Sequence, residues 1–246
     1  MNERSGLWGT VVIGVSVIAA AFIVGNTFLQ VRGMDNVVAV TGSSQRIIAS
    51  DVVKWRASFS RSATPETLTE GYAKMKQDLA IVLNYLKQNG VQDSEITANP
   101  ISVNPNYDNN GYAAKGGGSS IIGYTLSQDV VLESGDVERA AKAIQNSGAI
   151  INQGVIFSSQ APEYYYSKLA ALKLDMLAEA TKDAGARAGR IAESTGARLG
   201  KLRTASMGVF QITPVNSTDL SDYGNYDTTS LQKQITAIVR ASFDVR

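Results

Sequence analysis

Hydrophobic positions along this chain follow three patterns: one unbroken apolar run, stretches of strict alternation, and helical stripes. The run comes first. Residues 5–31 carry no charge, and Val11-Val12-Ile13-Gly14-Val15-Ser16-Val17-Ile18-Ala19-Ala20-Ala21-Phe22-Ile23-Val24 is nearly all apolar. As a helix, the run reaches about 40 Å at about 1.5 Å per residue, against a hydrocarbon core of roughly 30 Å. We divide the chain into a short tail (residues 1–6), a transmembrane anchor (7–31), a joint (32–36) and a domain (37–246). A second reading is a cleaved signal peptide, with Arg4 as charged start and Ala19-Ala20-Ala21 as an A-x-A site. Against it, the run continues through Phe22-Ile23-Val24 to Phe28-Leu29, beyond the roughly 15 residues of a signal's apolar region. With Arg4 offset by Glu3 and Arg32 by Asp35, flanking charge says little about orientation. The short tail points to N-inside, with the C-terminal domain outside. Ser16 with Ala20 and Ala21 with Gly25 are small-x-x-x-small pairs, suited to helix packing or to plain lipid-facing filler.

Alternation marks the strands. In Val53-Lys54-Trp55-Arg56-Ala57-Ser58-Phe59-Ser60 every odd position is apolar and every even one polar, a half-buried strand with one wet face. Val37-Val38-Ala39-Val40 precedes it across a polar turn and is expected to pair with it. Ile122, Tyr124, Leu126, Val130 and Leu132 alternate, as do Ile235, Ala237, Val239, Ala241, Phe243 and Val245. Helical stripes mark three further elements. Thr64-Pro65-Glu66 reads as N-cap, first position and first-turn acid; Leu68, Tyr72, Met75, Leu79, Val82 and Leu86 form one stripe, and Asn89-Gly90 ends it. A short helix is expected from about Asp136 to Asn146, and a long one from about Pro162 to Thr195 that opens on Tyr164-Tyr165-Tyr166.

The order predicted is ββαββ-αβαββ, an α+β fold with a mixed or antiparallel sheet packed by helices. Helix–strand–polar loop–strand occurs twice, so two subdomains are compatible with the pattern. The loops, around Tyr107, Asn109 and Tyr112 and then Tyr223 and Tyr226, are long and polar and read as hairpin tips or contact surfaces. The long helix changes character midway: Ala180, Ala184, Ala188 and Ala192 recur every four residues, with Gly185 and Gly189 beside them. Such a face lets another backbone come close, either the protein's own sheet or a second subunit. The candidate subunit contacts are therefore Tyr107, Asn109, Tyr112, Tyr223, Tyr226, Ala184, Gly185, Ala188, Gly189 and Ala192.

Composition narrows the chemistry. The chain has no histidine and no cysteine, which removes Ser-His-Asp and Cys-His nucleophiles, thiol redox, disulfides and His/Cys metal ligation. Setting aside Arg4, Arg32 and Glu3, the rest of the chain holds twenty-one basic and twenty-one acidic residues, without the basic excess of a nucleic-acid binder. Gly116-Gly117-Gly118 lacks dinucleotide spacing, and Gly196 to Leu202 has one residue too few for a phosphate loop and no Ser or Thr for magnesium. Asp175, Glu179 and Asp183 share a helix face, but Lys182, Arg187 and Arg190 beside them point to a salt-bridged surface. Asn216-Ser217-Thr218 matches a glycosylation acceptor, a motif frequent by chance. No catalytic, cofactor-binding or metal-binding residues emerge.

Three stretches together resemble the SIMPL domain family, which includes bacterial oxidative-stress defence proteins and periplasmic immunogenic proteins. They are Val37-Val38-Ala39-Val40-Thr41-Gly42, similar to its V-x-V-x-G opening strand; Ile122-Gly123-Tyr124, similar to its G-Y segment; and Ala184 to Ala192 followed by Gly196 and Leu199-Gly200-Lys201-Leu202, similar to its long-helix signature. The resemblance covers about Val37 to Arg246. It implies an α+β fold, a cell-envelope location and, in some members, large ring- or cage-like homo-oligomers; it implies no catalytic residues. The expectation is a non-enzymatic, single-pass protein of the bacterial inner membrane. Its C-terminal domain lies in the periplasm and self-assembles, with a link to stress defence. The alternative is a small-molecule binding or sensor module with a pocket between the sheet and the long helix.

Overall fold

In a computed structural model of the protein, residues 14–27, 36–108, 120–219 and 221–246 are described. The candidate contacts Asn109 and Tyr112, the tail, most of the joint and both ends of the 7–31 segment lie outside the described residues. The architecture is α+β with antiparallel strand pairing. In chain order the elements are α1 (residues 14–27), β1 (Val37–Ala49), β2 (Val52–Ala63), α2 (Leu68–Gln88), β3 (Ile96–Ala98), β4 (Ser102–Tyr107), β5 (Ile121–Ser134), α3 (Val137–Gln145), β6 (Ile156–Ser159), β7 (Glu163–Tyr165), α4 (Leu169–Ser194), β8 (Leu199–Met207), β9 (Gln211–Pro214) and β10 (Gln232–Val245). Among the described residues, no helix is long and apolar enough to cross a membrane. The described α1 spans about 21 Å at ~1.5 Å per residue. Val15, Val17, Ile18, Phe22, Ile23 and Val24 on it are all more than 60% exposed.

The chain forms two compact units. The first comprises residues up to Gln45, Lys173–Phe210 and Thr236–Arg246; the second comprises Arg46–Leu172 and Gln211–Ile235. In the first, strands are ordered β1-β10-β8 and α4 covers one face. Ala184 and Ala188 of α4 bury with Ala241 and Phe243 of β10, and Val38 and Val40 of β1 pack against them. In the second, β5 and β2 form the centre of a sheet ordered β3-β5-β2-β6, with β4 on β5 and β7 on β2. Its core is Val53, Trp55, Ala57 and Phe59 from β2, Leu126, Val130 and Leu132 from β5, and Met75, Val82 and Leu86 from α2. These are the odd positions of β2 and the even positions of β5, as the period of two requires.

Several expectations need correction. β1 does not pair with β2. The turn amides are engaged elsewhere: Ser50 N–H donates to Leu231 O (2.9 Å) and Asp51 N–H to Tyr165 O (3.0 Å), while β1 pairs with β10. Ile122 does not face the core. A register shift places Asn106 opposite Gly123 but Tyr107 opposite Ile121, so Ile122 is the extra residue of a bulge and stays exposed. The long helix begins at Leu169, not near Pro162, because Glu163–Tyr165 adds a short strand beside Val52–Lys54 of β2. Likewise α2 begins at Leu68; Thr64 and Thr67 instead close a turn, Thr67 Oγ1 accepting from Thr64 N–H at 2.9 Å. The buried stripe of α2 is Gly71, Met75, Asp78, Val82, Tyr85 and Leu86, leaving Tyr72 exposed. Asp78 joins it because Arg61 of β2 meets its carboxylate with two hydrogen bonds, at 2.7 and 2.8 Å. Gly196 closes α4 with φ 72°, a left-handed helix end rather than a phosphate loop.

Candidate functional site

Close approach of β1 to α4 defines the centre of the first unit. Val38 and Val40 point to the helix, and two residues on Gly42 meets its backbone. A Cβ at position 42 would lie 2.2 Å from Ala180 O, 2.4 Å from Ala184 N and 2.8 Å from Ala184 Cα. The strand continues along α4 through polar contacts. Ser43 N–H donates to Asp183 Oδ2 (2.8 Å), and Ser44 Oγ donates to Glu179 Oε2 (2.7 Å). Asp183 also accepts from Arg187 Nε at 2.8 Å, and the Ser43 amide together with this guanidinium holds its carboxyl below the usual range. Two of the three carboxylates on this face are thus engaged in holding β1. Among the described residues no group of His, Cys, Asp or Glu side chains is arranged to hold a metal ion.

This geometry corrects the helix-face contacts. Ala184, Ala188 and Ala192 are at most 1% exposed within the chain itself. Gly185 and Gly189 sit against Phe243 and Leu199, their missing Cβ positions 3.8 and 3.9 Å from those side chains. The small residues serve the protein's own sheet, and the helix lies too close to β1 at Gly42 for a ligand between them. Tyr107, Tyr223 and Tyr226 are exposed, Tyr223 at 96% and Tyr226 at 53%.

In the second unit, the loop after β9 is organised by buried polar side chains. Gln211, 5% exposed, donates from Nε2 to Ser221 O (2.6 Å) and accepts at Oε1 from Asn225 N–H (3.0 Å). The chain then returns along β9: Ile212 N–H donates to Asn225 O and Asp227 N–H to Ile212 O. Asp227 and Lys233 form a buried ion pair, their side chains 9% and 3% exposed, with Lys233 Nζ 3.5 Å from Asp227 Oδ2 and donating to Asp227 O at 2.7 Å. Thr229 donates from both N–H and Oγ1 to Asp227 Oδ1 (2.8 Å each), while among the described residues Oδ2 has no hydrogen-bond donor.

Burial alone would raise the Asp227 carboxyl; hydrogen bonds from Thr229 and Ser230 and the Lys233 charge outweigh it and hold the group at about 2. Lys233 is pushed down, because burial outweighs the pull of Asp227. The two responses differ because the carboxylate has several local donors and the ammonium only one carbonyl and one distant oxygen. Nearby, the Tyr165 hydroxyl donates to Glu163 Oε2 (2.7 Å), which with burial pushes it up to about 12.

Beside this pair, Ile212, Thr213, Pro214, Asp219, Asn225, Tyr226 and Asp227 line an open cleft of about 340 Å³. The Asp219 carboxylate, the Asn225 amide oxygen and the Tyr226 ring are acceptors suited to a cationic group. Sequence reasoning missed Asp227 and Lys233. A signal was present: Lys233 shares the odd, inward phase of Ile235, Ala237 and Val239, and an inward lysine needs a counter-charge.

Fold and geometry define an α+β domain whose opening strand locks against a long Ala/Gly-faced helix. A family model matches residues 38–243, and the chain belongs to the SIMPL family, described as a protein of unknown function (DUF541). The match spans the three stretches that carry the resemblance. Comparison with curated proteins gave no match.

Proposed function

We propose that this chain is a membrane-anchored, non-enzymatic envelope protein of the bacterial inner membrane. Its periplasmic SIMPL domain self-assembles into a ring- or cage-like homo-oligomer linked to stress defence. The observation that carries the anchor is α1, whose large apolar side chains are all exposed; a contiguous apolar surface of this kind requires a covering medium or partner. Bilayer insertion through residues 7–31 supplies it. Assembly rests on family membership and on the exposed tyrosines left by the fold, Tyr107, Tyr223 and Tyr226. Detergent-extracted protein is expected to run as a multiple of the chain mass in light scattering at micromolar concentration; a monomer would sink the assembly.

If the tyrosine loops make the contacts, Tyr223→Ala with Tyr226→Ala shifts the protein toward smaller species while changing unfolding by no more than about 0.5 kcal/mol, the usual range for surface sites. An unchanged particle size removes this loop from the interface. The second reading, a small-molecule module, is favoured by the cleft beside Asp227 rather than by a pocket between sheet and helix. Saturable binding of a small organic cation, lost in Asp219→Asn, would support it.

A further inference from the structure

Charge in the first unit is distributed unevenly between the two faces of its sheet. Ala241 and Phe243 of β10 bury against α4, so Arg240, Ser242 and Asp244 face the opposite side. Ser206 and Thr204 of β8 stand across from Arg240 and Ser242 on that same side. Strands β1, β8 and β10 contain a single acid, Asp244, and Arg203 of β8 already pairs with it. Arg240 and Lys201 are exposed, and among the described residues neither forms an ion pair with an acid. At the end of the sheet Arg198 and Arg246 exchange both backbone hydrogen bonds, N–H to O at 2.6 and 2.9 Å. Such a pair places the two side chains next to each other on one face. Two exposed guanidiniums side by side repel each other; among the described residues neither is ion-paired to an Asp or Glu side chain, and an anion between them relieves the repulsion.

The same corner is where the N-terminal segment enters the domain. Val245 N–H donates to Asn36 O at 3.0 Å, next to the Arg198–Arg246 pair. Only four residues lie between Val31, the end of the uncharged run, and Asn36, a reach of at most about 18 Å over the five Cα–Cα steps. If residues 7–31 span the bilayer, Arg198 and Arg246 are held close to its surface. We propose that the outer face of this sheet docks on the bilayer, with Arg198 and Arg246 gripping the phosphodiester of anionic lipid headgroups and Arg240 and Lys201 extending the basic surface. The proposal rests on the anchor reading above. It gives the domain a fixed orientation, with the basic sheet face on the lipid and α4 away from it.

The absence of cysteine from the chain makes a single label clean. The full-length Ser206→Cys protein, carrying a spin or fluorescent label on the outer face, is reconstituted in nanodiscs of phosphatidylcholine alone or with one part in three of phosphatidylglycerol. Contact of the label with headgroup-labelled lipid is expected with phosphatidylglycerol and to fade at raised salt. Arg198→Gln with Arg246→Gln is expected to lower the docked-to-free ratio about thirtyfold, whereas Lys182→Gln on α4 leaves it unchanged. Equal contact in neutral and anionic bilayers overturns the proposal. So does an equal response of the label to millimolar inorganic phosphate in detergent, which would assign the pair to free phosphate. Alkaline carbonate extraction reports the anchor separately. If carbonate releases the chain, the anchor reading fails. The label then tests the face on added vesicles: contact with phosphatidylglycerol but not phosphatidylcholine supports the docking surface, and contact with neither overturns it.

Discussion

Gly42→Ala is expected to destabilise the protein by about 3 kcal/mol, at the upper end of overpacking costs. The added methyl would fall 2.2 to 2.8 Å from backbone atoms of Ala180 and Ala184. Backbone in the middle of a 26-residue helix has no rotamer by which to withdraw, so strand and helix must separate. Separation would also lengthen the Ser43–Asp183 and Ser44–Glu179 hydrogen bonds, which lie on the same stretch. Thermal unfolding followed by far-ultraviolet circular dichroism measures the loss, and a variant within about 0.5 kcal/mol of the parent would refute the close approach. Gly185→Ala supplies the contrast. Its Cβ would sit 3.8 Å from Phe243, an ordinary contact, and Ala gains about 0.5–1 kcal/mol over Gly inside a helix. That variant is expected to be slightly more stable.

Asp227→Asn is expected to cost about 3–5 kcal/mol at neutral pH, because it leaves the buried Lys233 ammonium without a counter-charge. It should also change the acid limb of stability. The folded Asp227 carboxyl is held at about 2 against an ordinary value of 3.8. A group depressed in the folded state contributes stability in full above its unfolded value and loses it as pH falls through its folded one. The parent should therefore lose about 2 kcal/mol between roughly pH 4 and pH 2 through this group. The Asn variant should lack that loss. Lys233, pushed down by burial, also makes stability rise with pH, but only on the alkaline side, as the folded ammonium loses its proton before the unfolded one, so it does not contribute to the acid limb. Urea unfolding monitored by the fluorescence of Trp55, buried in the same unit, reads both effects. Asp227→Asn combined with Lys233→Met should recover part of the stability, since an apolar side chain suits the inward face of β10. An Asn variant with the parent's midpoint and acid limb would show that the pair does not hold the loop.

Much of the second unit was legible because one side of each central strand is buried. Val53, Trp55, Ala57 and Phe59 announce their face by period two, and in the first unit β10 does the same from Ala237 to Phe243. The short helix α3 was legible from Asp136, whose side chain accepts from Arg139 N–H at 3.1 Å. Harder to read were places where a side chain or backbone group meets a partner distant in sequence. Asp78 is inward only because Arg61 reaches it, and Tyr164 to Tyr166 leave the long helix only because β2 offers a free edge. The candidate site shows the same division. Its exposed tyrosines follow from polar loop composition, whereas the Asp227–Lys233 pair requires a loop to fold back along β9.

By itself, then, the sequence determined the long strands and helices, the α+β class, the family and the apolar segment at the N-terminus, because these depend on local periodicity and composition. Tertiary structure decided the partners. It sent β1 to β10 instead of β2, and turned the Ala/Gly face of α4 onto the protein's own sheet. It placed Gly42 against the α4 backbone and brought Arg198 beside Arg246. The physical reason is common to all four. Each depends on which distant backbone or charge satisfies a group, and periodicity along a chain records only that a face is buried, not what it is buried against.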